Sequence, residues 1–164
     1  MKKITILDST LRDGAQGENV SFSVQDKIHI CKALDELGVS FIEAGNPFSN
    51  PKDMEFFKQI RKVPLQNAKI CAFGSTRHVG VSCTEDKNLQ SLIDAKTEYV
   101  VIFGKSWTFQ VTEILKTTLE ENKVYKGTTI NGHELGKTTA KDEVNEVVLI
   151  TDDIIDSGES MVAI

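Results

Sequence analysis

The sequence ITILDSTLRDGAQ, residues 4–16, combines a short apolar run with a polar loop, and it decides the fold of the first part of the chain. The run predicts a strand over about residues 4–8. The loop after it carries an arginine, a carboxylate and an amide at Arg12, Asp13 and Gln16. Because parallel α/β proteins gather their chemistry at the carboxyl ends of strands, this loop is the first candidate site.

Short apolar runs and amphipathic stretches alternate through the next hundred residues. The helix expected over 24–37 has Ser23 as its N-cap with Asp26 completing a capping box, and Gly38 ends it. Further helices are predicted to begin at Asn50-Pro51, over 85–95 with Thr84 as cap, and over 109–122. The intervening strands are predicted over 40–44, 69–74 and 99–103. Four βα units in about 120 residues predict a parallel sheet.

The end of the chain has a different composition. Residues 126–145 are polar and aperiodic, which predicts a loop or weak hairpin, and 147–151 then form a fifth apolar strand. The organisation expected is a (βα)4 unit at 1–122, a polar connection at 123–146, and a strand with a loop motif at 147–164 that ends within a structural unit. The fold class is α/β with alternating βα units: a partial TIM barrel, possibly flattened into a doubly wound sheet. An open barrel edge also invites pairing into a homodimer.

Composition narrows the function class. The chain has 164 residues, 40% hydrophobic and 26% charged, with a net charge of −5, as expected for a globular domain. No basic stripe favours nucleic acid, no apolar run is long enough for a membrane span, and no signal peptide is apparent, so a cytoplasmic location is expected. Cys31, Cys71 and Cys83 lack metal-ligand spacing and are expected to be buried free thiols.

Polar residues follow each predicted strand, at what would be one rim of the sheet. A carboxylate beside a guanidinium suits a divalent cation together with an anionic substrate oxygen. The same residues could instead form a loop salt bridge between Arg12 and Asp13, with Glu43 as a structural hydrogen-bond acceptor. The rim residues are Arg12, Asp13, Gln16, Glu43, Ser75, Thr76, Arg77, Lys105 and Ser106.

Three segments carry a family resemblance. They are DSTLRDGAQGENVSFSVQDKIHICKALDELGVSFIEAGNPFSNPKD (8–53), AFGSTRHVGV (72–81) and VVIFGKSWTFQVTEILKTTLEEN (100–122). In this order they resemble the N-terminal part of the citramalate synthase and isopropylmalate synthase family. That family comprises TIM-barrel acyltransferases and lyases acting on 2-oxoacids in branched-chain amino acid biosynthesis, such as that of isoleucine.

The resemblance implies a metal-dependent Claisen condensation of acetyl-CoA with a 2-oxoacid, pyruvate for citramalate. By this resemblance Asp13 would bind a divalent metal, Mg or Mn, Arg12 would stabilise charge on the keto oxygen, and Gln16 would line the site. The family also uses a His-x-His pair of metal ligands, whereas the histidines here are His29, His78 and His133. His29 is expected at the surface. Impaired metal binding and catalysis are therefore expected.

A second motif, VVLITDDIIDSGES at 147–160, resembles the phosphoribosyl-pyrophosphate (PRPP) loop of phosphoribosyltransferases and ribose-phosphate pyrophosphokinases. A helix start of this kind can hold phosphate. By the resemblance, two acids would face ribose and the next residues would hold the phosphate: Asp152 and Asp153, then Asp156, Ser157, Gly158, Glu159 and Ser160. The alternatives are thus a PRPP or ribose-5-phosphate binding module, a non-catalytic fragment or chimera, and a plain acidic strand-to-helix turn.

Overall fold

The computed structural model describes residues 5–105, 107–122 and the backbone of 146–152. These residues contain a five-stranded, fully parallel sheet with strand order β1-β2-β3-β4-β5. The strands are β1 (Leu7–Asp8), β2 (Phe41–Glu43), β3 (Lys69–Ser75), β4 (Tyr99–Lys105) and β5 (Glu146–Asp152). The α-helices between them are α1 (Val24–Leu37), α2 (Pro51–Ile60) and α3 (Lys87–Asp94).

The strand order is that of a barrel. Each described strand pairs with the next in sequence, and right-handed crossovers of this kind place all connecting helices on one face. A doubly wound sheet would reverse direction at a switch point, and the described strands contain no such reversal. The predicted partial α/β barrel is therefore confirmed, and the doubly wound alternative is wrong for this part of the chain.

The core lies between the helices and one face of the sheet. Strand residues Ile42, Ala72 and Ile102 are at most 1% exposed and form one cluster with residues of the three helices. Among the helical members of the cluster are Cys31, Phe56, Phe57, Leu89 and Leu92. Since side chains alternate along a strand, the residues between these positions occupy the opposite face.

The first helix agrees with its prediction at both ends. The hydroxyl of Ser23 accepts from the N–H of Asp26 at 3.1 Å, and the Asp26 carboxylate accepts from the N–H of Ser23 at 2.8 Å. Gly38 ends the helix with a φ of 87°. Leu37, the last residue of the helix, is 77% exposed.

Two helix predictions are wrong. Helix α3 has Asp86 as N-cap rather than Thr84, because the Asp86 carboxylate accepts the N–H groups of Asn88 and Leu89. The continuous helix expected over 109–122 is instead a π-helical turn at Gln110–Ile114 followed, after a left-handed Lys116, by helical residues 119–122. The β-branched residues of this segment disfavour a regular helix: Val111, Thr112, Ile114, Thr117 and Thr118.

The remaining strand and cysteine predictions can be compared directly. Strand β5 agrees with the prediction for 147–151, whereas residues 126–145 and 153–164 lie outside the described part.

Cys31 and Cys71 are buried, and burial raises the pKa of each thiol to about 12; Cys83 is only partly buried. Cys31 and Cys71 are buried free thiols, as predicted, and Cys83 forms no disulfide. No helix among the described residues combines the length and apolarity needed to traverse a bilayer.

Candidate active site at the carboxyl edge of the sheet

The loop after β1 is fixed by its own backbone. The carbonyl of Ser9 accepts the N–H groups of Arg12, Asp13 and Gly14 at 3.1, 2.8 and 3.2 Å. Leu11, at 1% exposure, packs into the core and anchors the loop. These contacts hold the arginine and the aspartate at the carboxyl end of the first strand, where the sequence predicted them.

Arg12 is held by three groups. Its Nε donates to Oε2 of Glu43 at 2.7 Å, and its Nη1 donates to Oδ1 of Asp13 at 3.0 Å. Its guanidinium carbon lies 4.4 Å from the centre of the Phe73 ring, a cation–π contact. No acceptor for Nη2 is found among the described residues. The side chain is therefore a cationic donor held in place by other contacts, with donor capacity to spare.

Glu43 is the last residue of β2, and its carboxylate binds the guanidinium of Arg12. Its carboxylate is fully buried, and Oε1 has no hydrogen-bond partner in the part of the chain that is described. Burial raises the pKa of Glu43 above its ordinary value, and the hydrogen bond and charge of Arg12 oppose that rise without cancelling it. The sequence left open that Glu43 is a structural hydrogen-bond acceptor, and the structure shows it accepting directly from Arg12, 31 positions away.

Asp13 and Gln16 lie on the outer side of the same loop. The Asp13 side chain is 66% exposed and has one oxygen bound to Arg12. Gln16 is exposed in a 3-10 turn at Gly14–Gln16, and its N–H donates to the Asp13 carbonyl at 3.0 Å. Asp13 thus fits the role of one hard oxygen ligand for Mg²⁺ or Mn²⁺. The described residues contain no group of three or more His, Cys, Asp or Glu side chains able to hold a metal ion, so they supply only part of a coordination sphere.

The face of the sheet away from the helices continues from Arg12 as a row of aromatic and cationic groups. The rings of Phe73 and Phe103 are 6.4 Å apart, and Nζ of Lys105 lies 5.4 Å from the centre of the Phe103 ring. Ser75 is the register partner of Phe103. We call this surface, made by Glu43, Phe73, Ser75, Phe103 and Lys105, the site face. The two phenylalanines were missed in the sequence, although their two-residue spacing from Ser75 and Lys105 could have identified them.

Other predicted rim residues are not brought together with Arg12. Thr76 is buried one position beyond Ser75, where the alternation of side chains leads away from the site face. Arg77 donates to the carbonyl of Val81 at 2.9 Å and to Glu121 at 3.1 Å, contacts that secure its own loop. Ser106 lies outside the described residues.

The histidines have separate surroundings. His78 is exposed, and its Nδ1 lies 2.9 Å from Oδ2 of Asp86, which is fully buried. Burial acts to raise the pKa of Asp86, but hydrogen bonds from His78 and Leu89 outweigh it and hold the pKa below its ordinary range. His29 is exposed on α1, as predicted. His133 is not among the described residues.

The second predicted motif is described only at its beginning. The backbone of Asp152 ends β5 as the register partner of Lys105, so it lies at the same edge of the sheet as the Arg12 loop. The other residues predicted to bind ribose and phosphate lie outside the described part: Asp153, Asp156, Ser157, Gly158, Glu159 and Ser160.

A buried ion pair supports the loop that follows Glu43. The Nζ of Lys27 donates to the carbonyl of Ala44 at 3.1 Å and to Oδ1 of Asp53 at 2.5 Å. Gly45 has a φ of 119°, and a β-carbon there would lie 3.0 Å from Nζ of Lys27. The glycine is therefore required both for the backbone turn and for the approach of the lysine.

The first part of the chain is similar to known proteins. The HMGL-like family model matches residues 3–130. The chain is 55% identical over 121 residues to the (R)-citramalate synthase of Sulfolobus acidocaldarius and 54% identical over 121 residues to that of Aquifex aeolicus, covering 74% of this chain in each case. The chain spans about a quarter of each relative, 23% of its length.

The fold also matches a solved structure. The HMG-CoA lyase of Bacillus subtilis superposes with a TM-score of 0.64 at 17% identity, covering 92% of this chain and 47% of the lyase, a likeness of fold alone. The resemblance of 147–160 to a PRPP loop has no support in any of these matches. On the family match over 3–130, the chain belongs to the HMGL-like family.

Proposed function

We propose that this chain contributes the Arg12 loop and the site face to a citramalate-synthase-like enzyme that condenses acetyl-CoA with a 2-oxoacid, pyruvate. The observation that carries this proposal is the arrangement of Arg12, which Glu43 and Asp13 hold over Phe73 with Nη2 available. The identity of more than half of the matched residues to two (R)-citramalate synthases supports the choice of substrates.

In the proposed reaction, the enolate carbon of acetyl-CoA forms a bond to the keto carbon of pyruvate. The electron pair of the C=O bond moves to the keto oxygen, which is then protonated, and water cleaves the thioester to give a carboxylic acid and the free thiol of CoA. Arg12 would donate to that oxygen as its negative charge grows. A donor already held in place loses little free energy to reorganisation, which is why fixed donors contribute much to catalysis.

The other loop residues have supporting roles in this proposal. A divalent cation, when bound, would polarise the keto oxygen, with Asp13 as one of its ligands. Gln16 would line the entrance to the site. Because the sequence has no His-x-His pair, we propose that this chain alone binds the cation weakly and turns over slowly.

The test separates the site residues from the rest of the enzyme. In a hybrid, the matching 121-residue segment of the Aquifex aeolicus relative is replaced by that of this chain, and thiol release is measured with acetyl-CoA, pyruvate and Mn²⁺. Arg12→Gln should lower kcat by about a hundredfold or more, the cost of losing one oxyanion donor. Arg61→Gln, an exposed arginine at the end of α2, is the matched control.

Two outcomes would reject the proposal. A hybrid that folds but releases no thiol above background would remove the condensation. Equal kcat values for Arg12→Gln and the unmodified hybrid would remove the role of the arginine.

The proposal also divides the chain into segments. We propose that residues 1–122 form the acyltransferase-like unit, 123–146 a connection, and 147–164 a strand and loop, with β5 extending the same sheet. No observation on the described residues favours PRPP binding, which stays a prediction. A titration with PRPP and Mg²⁺ that gives equal signals for the chain and its Asp152→Ala, Asp153→Ala double variant would remove it.

A further inference from the structure

We propose that Lys27, a buried lysine of α1, is a positioning residue for Arg12. It acts by holding the carbonyl of Ala44, the residue that follows Glu43. The inference rests on the proposed function in one respect, because Lys27 would affect the condensation only through Arg12. Its structural part, the control of the Arg12 side chain by Lys27, applies to this chain whatever reaction it serves.

The hydrogen-bond ladder between β2 and β3 shifts by one residue immediately after Glu43. Glu43 pairs with Cys71, and the N–H of Ala44 donates to the Cys71 carbonyl at 3.0 Å, as parallel pairing requires. The next bond of a regular ladder would join the N–H of Phe73 to the carbonyl of Ala44. Instead, that N–H donates to the carbonyl of Gly45 at 2.9 Å. Ala44 is thus an extra residue in the ladder, a β-bulge, and bulges re-aim side chains beside active sites.

The shift leaves the Ala44 carbonyl without its ladder partner, and Lys27 replaces that partner. Nζ of Lys27 donates to this carbonyl at 3.1 Å, and no other donor to it is found among the described residues. Ala44 is fully buried, so loss of the lysine would leave a buried carbonyl unpaired, which costs free energy. Lys27 is itself buried, and Asp53 in the first turn of α2 balances its charge. The lysine therefore stabilises the bulge.

The bulge connects the two groups that hold Arg12 against the sheet. Glu43, directly before the bulge, accepts from Nε of Arg12 at 2.7 Å. Phe73, whose N–H bonds to the bulge, has its ring centre 4.4 Å from the guanidinium carbon. The Arg12 loop also lies against the bulge, since a β-carbon on Gly45 would be 3.6 Å from the carbonyl of Leu11. A bulge that moves would therefore disturb both contacts of the arginine.

A simpler interpretation is that Lys27 and Asp53 only join α1 to α2. The carboxylate of Asp53 has two further donors in the loop before α2, so it is not held by the lysine alone. On that interpretation the bond to the Ala44 carbonyl has no consequence for the site. Arg12 would then be unaffected by the loss of Lys27 as long as the protein folds, which is the point that an experiment can decide.

The test measures hydrogen exchange of the Arg12 Nε–H group by NMR on the isotope-labelled full chain, with the signal identified by its absence in Arg12→Lys. Lys27→Met keeps most of the stem and removes the donor, so exchange should become about tenfold faster or more. The double variant Lys27→Met, Asp53→Asn leaves no unpaired buried charge and should show the same increase. Asp53→Asn alone keeps Lys27 on the Ala44 carbonyl, so exchange should stay within about twofold of the unmodified chain.

Asp35→Ala is the matched control for a general loss of stability. Asp35 accepts from the backbone of residues 66–68, which precede β3 at the opposite edge of the sheet. This variant should leave exchange at Arg12 within about twofold of the unmodified chain. The inference is overturned if both Lys27 variants exchange like the unmodified chain, or if Asp35→Ala or Asp53→Asn accelerates exchange as much as they do. Failure of both Lys27 variants to fold would also reject it, because the lysine would then be needed for folding itself.

Kinetics in the hybrid enzyme separate this inference from the proposed function. Lys27→Met should lower kcat by about tenfold with the KM for acetyl-CoA unchanged. In an Arg12→Gln background it should have no further effect on kcat, because the lysine acts through the arginine. Equal effects in the two backgrounds would reject the positioning role alone. Exchange at Arg12 that depends on Lys27, without thiol release by the hybrid, would reject the proposed function and leave the positioning of the arginine.

Discussion

Replacing Glu43 tests how the buried carboxylate holds Arg12. Removing one partner of a buried ion pair costs about 3–5 kcal/mol in unfolding free energy. The Arg12 side chain is 25% exposed and keeps its bond to Asp13, so Glu43→Ala should cost less, about 2–4 kcal/mol. Glu43→Gln keeps the shape and an acceptor for Nε, and because it also removes a buried charge, its cost at neutral pH should be below about 1 kcal/mol.

The pH dependence of the Glu43→Gln variant gives the sharper test. Burial raises the folded-state pKa of Glu43 above its ordinary value of 4.5, so the folded protein binds this proton more tightly than the unfolded chain. The stability gained from this proton is fully present at pH values below 4.5, and it is lost as the pH rises through the raised pKa of the folded protein. Glutamine does not titrate. The variant should therefore gain stability relative to the unmodified protein as the pH rises above 4.5.

The assay is urea unfolding, followed by circular dichroism, at several pH values between 4 and 8, with ~0.5 kcal/mol resolution needed on each difference. In the hybrid enzyme, Glu43→Gln should also lower kcat, because Arg12 loses the charged partner that fixes it. A stability difference that does not vary with pH, or that varies with the opposite sign, would refute the description of Glu43 as a buried carboxylate with a raised pKa.

Two further predictions concern the supports of the site. The carboxylate of Asp35 accepts the N–H groups of Gln66, Asn67 and Ala68, so Asp35→Ala should cost about 2–4 kcal/mol by urea unfolding. Burial acts to raise the pKa of Asp35, but these bonds lower it below 3.8, so its contribution should fade in the unmodified protein as the pH falls below that value. Gly45→Ala should cost about 2–3 kcal/mol, because the alanine would meet Lys27 at a φ of 119°. Gly38→Ala, also at positive φ but with nothing within 4 Å, should cost only about 1 kcal/mol, and equal costs would contradict the role of the lysine contact.

Local sequence signals were sufficient for the elements that depend on near neighbours. The capping box of Ser23 and Asp26 lies within one turn, so the sequence alone predicted the start of α1 correctly. The helix predicted over 109–122 is wrong because its hydrogen bonds do not follow the regular α-helical pattern. Its apolar spacing suggested a helix, but the N–H of Leu115 bonds to the carbonyl of Gln110, five residues back, and Thr117 bonds to Val111. A hydrophobic pattern does not predict which carbonyl an N–H group selects.

The site depended on contacts between distant residues. The sequence placed Arg12, Asp13 and Glu43 at one rim because Glu43 ends a strand and the other two follow one, and the three do lie together. The Arg12–Glu43 bond and the position of Arg12 over Phe73 follow from the register of neighbouring strands, which one sequence does not specify. Arg77 also follows a strand, yet Glu121 and the Val81 carbonyl hold it in its own loop.

The most direct test of the central claim is the position of pyruvate in a crystal structure of the hybrid enzyme grown with pyruvate and Mn²⁺. We expect the keto oxygen within hydrogen-bond distance of the Arg12 guanidinium, which stays bound to Glu43. Pyruvate bound away from the site face, or an Arg12 side chain turned away from Glu43 in the complex, would contradict it.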